Sequence, residues 1–214
     1  MSLPIHLEVI QAKRRSEGGG GGGYLIDEDF ESGSTPADWT VDAASFSYNY
    51  ASPALAGSYS LATTSTTAAG YFSFTGQTDV WARGKLRVKT NWVGSISSIV
   101  GFWTSANANL TTVRFDGVMT ISVKINANGG DSSASSYTLS PGTTYWFWVH
   151  YAASGTCAVY ISPTSTRPST DGSGGVVLTK TGGSGTAERF FFRAAGNGNV
   201  HLLDDIQIST SELS

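Results

Sequence analysis

The chain has 214 residues, enough for one β-sandwich with a full core and short for two domains. Charged residues make up 14% and hydrophobic ones 40%, with six Trp and nine Tyr, which excludes a disordered polyelectrolyte. The net charge is −3, no run of Lys and Arg marks a nucleic-acid face, and no apolar stretch reaches membrane-spanning length.

Residues 1–17 read as an extended arm. Leu3, Ile5, Leu7 and Val9 fall on one side, Ser2, Pro4, His6 and Glu8 on the other. Pro4 confines such a strand to a sheet edge. A signal peptide places its positive charge first; here Lys13, Arg14 and Arg15 follow an apolar stretch broken by His6 and Glu8. Gly18 to Gly23 form a tether with maximal backbone freedom. A lone strand on a tether cannot bury its own apolar side. The arm is therefore expected to dock by adding to a partner's sheet, with Lys13, Arg14 and Arg15 attracted to an acidic surface; the alternatives are that it folds onto its own body or is a disordered tail.

Residues 24–214 form the body, with 10 Lys/Arg against 14 Asp/Glu. Gly, Ser, Thr and aromatics dominate, and no segment holds a helical period over three turns. Strands are expected at 71–74, 85–90, 98–103, 111–115, 119–125, 144–151, 157–161, 176–179, 188–194 and 200–209. Leu86 and Val88 alternate with Lys85, Arg87 and Lys89, and Ile121, Val123 and Ile125 with Thr120, Ser122 and Lys124. Such strands have one buried face and one wet face. The stretches 126–135, 162–175 and 194–199 carry turn residues and read as loops. The fold class is thus all-β, an antiparallel two-sheet sandwich. Cys157 lies beside Val159 and Ile161 and reads as a small core residue.

The strand at 144–151 is apolar on both sides. Tyr145, Phe147, Val149 and Tyr151 share one face, and Trp146, Trp148 and His150 share the other. A second apolar face is either covered or used for binding, and sugar rings stack on flat aromatic faces. Trp146, Trp148 and His150 are therefore candidate glycan contacts, with Trp92, Trp103 and Tyr50 as further ones. His6, His150 and His201 fit no nucleophilic triad or zinc motif, so no catalytic residue is assigned.

The body opens "LIDEDFESGSTPADWTVDAASF", continues "GSYSLAT" and closes "FFFRAAGNGNVHLLDDIQIS". A Phe-Glu-x-Gly opening, a Gly-x-x-Ser-Leu and an Asp-Asp-Ile closing strand resemble concanavalin A-like lectin/glucanase jelly rolls. "TTYWFWVHYAASGTCAVYIS" looks like their central hairpin. The same ends resemble galactose-binding-like carbohydrate modules; strand count and length favour the first. The resemblance implies that the first and last strands lie together. Glucanases of this family carry Glu-x-Asp-x-Glu, and Asp27, Asp29 and Glu31 have that spacing. Here, though, the run opens with Asp, stands at the start of the body, and would turn Glu28 toward the core, which argues against hydrolysis. The resemblance also implies a structural calcium near the termini, with Asp29 or Glu31 approaching Asp204 or Asp205. An arm followed by polyglycine resembles the openings of phage structural proteins. That implies a non-enzymatic virion surface component (decoration, fibre or tail-associated) made in the host cytoplasm, bound to capsid or tail subunits and displaying its jelly roll toward cell-surface glycans. The alternatives are a lectin or carbohydrate-binding module, and a glycoside hydrolase.

Overall fold

A computed structural model describes residues 23–214 apart from 44–45, 52–53, 66, 89–92, 119–120, 128–129, 132–133, 173, 182 and 195–200. The arm, most of the tether and Trp92 lie outside the described residues.

Two antiparallel sheets form a sandwich, with no helix among the described residues. The first sheet runs in the order β14 (Val176–Thr181), β13 (Thr156–Ser162), β12 (Thr144–Ala152), β6 (Asp79–Val88), β16 (His201–Ser209), β4 (Ser60–Thr63) and β3 (Phe46–Tyr50), with β1 (Ile26–Glu28) also on β16. The second runs β10 (Gly130–Asp131), β9 (Ile121–Ala127), β8 (Asn109–Val118), β7 (Val93–Trp103), β15 (Ala187–Arg193), β5 (Ala69–Gln77) and β2 (Trp39–Ala43), with β11 (Thr138–Leu139) also on β9. Each expected strand has its counterpart, although bounds differ. The expectation missed β2, β3, β4 and β11; β2 and β3 do alternate but run for only five residues each, and β4 and β11 are shorter still. The segment 126–135, read wholly as loop, contains β10.

The first and last strands do lie together: Ile26, Asp27 and Glu28 pair with Ile208, Gln207 and Ile206. The central hairpin is β12 against β13, with Trp148 opposite Tyr160. Alternation explains the core. On β12, Tyr145, Phe147, Val149 and Tyr151 face the second sheet, whose β15 sends Phe190 and Phe192 to meet them. Phe147 and Phe190 stack at 6.2 Å, and Phe102 meets Phe190 edge-on at 5.4 Å. Fully burying each such ring contributes roughly 1.5–3 kcal/mol. Cys157 is buried among them. Gly84 on β6 is required by closeness: a Cβ there would stand 2.4 Å from Ile206 Cδ1.

Candidate functional site

The outward face of the first sheet is built from the opposite parity. On β6, Ala82 and Leu86 point inward, so Trp81, Arg83 and Lys85 point out. On β12 the outward set is Trp146, Trp148 and His150. The register sets Trp146 opposite Lys85, Trp148 opposite Arg83, and His150 opposite Trp81. Trp146 therefore meets two cations, the Arg83 guanidinium and the Lys85 ammonium each 4.8 Å from its ring centroid.

Beside Trp146 the sheet opens into a cleft of about 250 Å³. Its walls are Asp27, Glu28, Asp29, Arg83, Trp146, Asp205 and Gln207. The pairing of β1 with β16 brings the two ends of the body together here. A bulge in β16 between Asp204 and Gln207, with Asp205 at φ 49°, turns successive carboxylates apart. Asp205 swings to Lys85, with Nζ to Oδ2 at 2.6 Å. Asp204 instead is fully buried, where its Oδ2 accepts from Ser60 Oγ at 2.7 Å and from the Ala56 amide at 3.0 Å. Burial pushes the Asp204 carboxyl up to about 7, although the hydrogen bond from Ser60 pulls the other way. The cleft thus offers an aromatic wall, carboxylate acceptors, a guanidinium and an amide. The Arg83 Nε is buried with no acceptor among the described residues.

The remaining expected residues scatter. Trp148 is 0% exposed beneath Trp81 and Leu213, so it has no face left for a sugar and its candidacy is withdrawn. The second apolar side of β12 is largely covered by the protein's own C-terminal segment. Leu213 packs on Trp81 and Trp148, and Arg167 reaches the Leu213 carbonyl and the Glu212 carboxylate. Arg83 donates to the Ser214 carbonyl. His150 stacks on Trp81 at 4.1 Å and contacts Asp79 at 2.9 Å, outside the cleft. Trp103 is on the other sheet, its Nε1 donating to Asn109 Oδ1 at 2.8 Å. Tyr50 ends the edge strand β3, half-buried.

The run "DEDFE" does not present three acids along one strand. β1 stops at Glu28, and Phe30 takes φ 56° in the turn that follows. Glu28 Oε1 accepts from the Phe30 amide at 2.8 Å and lines the cleft, so its expected turn toward the core does not occur. Glu31 faces away and accepts from the Ser58 and Tyr59 amides at 2.9 and 3.2 Å. Gly57 makes room for it: a Cβ at that position would stand 2.1 Å from Glu31 Oε1.

These commitments bear on calcium. Asp29 and Asp205 do line one cleft, as the adjoining termini implied, but Glu31 and Asp204 are held elsewhere by protein donors and Asp205 is paired with Lys85. Among the described residues no three His, Cys, Asp or Glu side chains gather in a way that could hold a metal ion. The four acids do not fit a calcium site.

Sequence reasoning missed Arg83, Lys85 and Gln207. The signal for the first two was present in "VWARGKLRV", whose strict alternation sends both out beside the outward Trp residues. No protein-family model matches the chain, and comparison with curated proteins gives no match. Solved structures do share its fold. The cellulose-induced protein Cip1 is 16% identical with a TM-score of 0.59, covering 88% of this chain and 99% of that one. A lectin from Bauhinia forficata in complex with GalNAc is 13% identical with a TM-score of 0.57, covering 87% and 98%. A sialidase is 12% identical with a TM-score of 0.60, covering 89% of this chain but 19% of its own. At these identities the likeness establishes a lectin-like jelly-roll sandwich.

Proposed function

We propose that this body is a carbohydrate-binding module and that the Trp146 cleft is its sugar site. The observation that carries the reading is the partly exposed Trp146, flanked by Arg83 and Lys85 and facing Asp27, Asp29 and Gln207 across one cleft. An aromatic wall takes the apolar face of a sugar ring. Carboxylates and amides around it accept and donate to hydroxyls. The complex of a lectin of this fold with GalNAc makes a hexosamine a reasonable first ligand. A glycan array probed with the full chain tests it: binding of a defined set of neutral saccharides is expected, and an array with no bound saccharide would overturn the reading.

Hydrolysis fits less well. A glycosidase needs one carboxyl kept protonated at the scissile bond and another facing it. Asp204, whose affinity for a proton is raised, sits under Ser60 and Ala56 rather than on the cleft wall. A reducing-sugar assay on bound glycans is expected to show no release.

Attachment to a larger assembly is a separate reading. It rests on the alternation of Leu3, Ile5, Leu7 and Val9, the basic Lys13, Arg14 and Arg15, and the tether. In it, the arm docks to another subunit, such as a virion capsid or tail protein, while the body presents its sugar site.

A further inference from the structure

The bulge in β16 ties a buried acid to the wall of the Trp146 cleft. Asp204 is fully buried, yet the next residue, Asp205, lines the cleft. The two Asp204 oxygens serve different partners. Oδ2 accepts from Ser60 Oγ at 2.7 Å and from the Ala56 amide at 3.0 Å, and Ser60 Oγ in turn accepts from the Leu55 amide at 2.7 Å. Oδ1 accepts from the Asp205 amide at 2.9 Å. That amide belongs to a residue at φ 49°, a conformation that a non-glycine residue keeps only when its surroundings fix it. The Asp204 carboxyl is one of the groups that fix it. Asp205 then holds Lys85 at 2.6 Å, and the Lys85 ammonium lies 4.8 Å from the Trp146 ring centroid. Contacts in series thus run from a buried carboxyl to the aromatic wall.

The charged groups around Asp204 come from every side. Lys85 stands opposite it on β6, with Arg83 and Arg87 either side along that strand. Asp205 is beside it, and His201 stands earlier on the same strand. Glu28 and Asp29 line the cleft with Asp205 from the β1 end. Glu31 holds the Ser58 and Tyr59 amides of the loop that carries Ala56. β4 brings Ser60 and no charged residue. Burial raises the Asp204 carboxyl to about 7; the Ser60 hydrogen bond lowers it, and the charge of Asp205 raises it.

We propose that Asp204 is a positioning residue of the Trp146 cleft, and that gain or loss of its proton moves the Asp205 and Lys85 pair against the aromatic wall. Its effect on a ligand rests on the sugar-site reading, to which it adds regulation. With the proton on, Lys85 answers to Asp205 alone. With it off, Asp204 offers the same ammonium a second carboxylate from the opposite register position, and the two neighbouring carboxylates repel. A sugar seated on Trp146 takes water from the pair and makes the second negative charge costlier still. Binding is therefore tighter while Asp204 is protonated and weakens as pH rises past neutrality.

The test is a pH titration of the full chain by nuclear magnetic resonance, read at the Asp205 amide and the Trp146 indole N–H. Beside it, calorimetry at pH 6 and pH 8 follows the neutral glycan bound most tightly on the array. Both resonances are expected to shift with a common midpoint near 7. Glycan affinity should fall about threefold or more between the two pH values. Asp204→Asn cannot ionise and should abolish both dependences. Ser60→Ala removes a donor to the carboxylate and should move the midpoint up. Asp205→Asn removes the neighbouring charge and should move the Trp146 midpoint down. A residue that only supported the fold would leave no midpoint to move. If Asp204→Asn does not fold, the other two variants decide. An array with no ligand would remove the sugar reading and leave the resonances to decide this one. Flat resonances in the unaltered chain would overturn the proposal. So would a pH dependence that survives in Asp204→Asn, where His150 and His201 are unchanged, a midpoint that Ser60→Ala and Asp205→Asn both leave in place, or a glycan affinity equal at the two pH values.

Discussion

Neighbouring aspartates in one strand have opposite fates. The β16 bulge exposes Asp205 to Lys85 and buries Asp204 under Ser60 and Ala56. An acid raised from 3.8 to about 7 binds more protons in the folded state than in the unfolded one between those values. Its contribution to stability is therefore greatest at low pH and is lost as pH rises through about 7, by up to a few kcal/mol. Asn at position 204 cannot ionise, but it lacks one carboxylate oxygen for the Ser60 and Ala56 donors. Asp204→Asn is expected to melt lower than the unaltered chain at pH 5 and to close or reverse that gap by pH 8. A change in the difference of about 3 °C or more is the scale for a chain of this length. A constant difference across that range would mean Asp204 does not titrate there. Because the terminal acids already have protein partners, a chelator is expected to leave the melting temperature unchanged; a drop would point to a metal bound elsewhere in the chain.

At the scale of elements, what alternates was legible and what bends was not. The two faces of β12 followed from "TYWFWVHY" because a strand has a period of two. The acids of "DEDFE" did not follow, because β1 ends after three residues and a positive φ at Phe30 breaks the alternation. The fate of Trp148 was equally hidden. Its cover is Leu213, sixty-five residues on, and only the fold brings the two together. The C-terminal segment is thus a structural element of the first sheet. Leu213→Ala is expected to destabilise the chain by about 1–2 kcal/mol, the lower part of the range for a buried leucine because it packs from one side only. It should also raise the accessibility of Trp148 to an aqueous fluorescence quencher. Unchanged quenching would mean that Arg167 and Trp81 suffice as a cover.

The whole molecule is a sandwich of two antiparallel sheets, with the aromatic and acidic cleft around Trp146 at the outward face of the first. Removing residues 1–17 is expected to leave the body folded, because among the described residues a full core and two sheets lie within 24–214. In the assembly reading the truncated chain no longer joins its partner particle; normal incorporation would show that the body itself makes the contact. The central claim, that the Trp146 cleft holds sugar, is tested most directly by titrating an array-identified neutral glycan into the full chain and into Trp146→Ala. Loss of a stacking wall should weaken binding at least tenfold, with the melting temperature nearly unchanged. Equal affinity in the two proteins would contradict it.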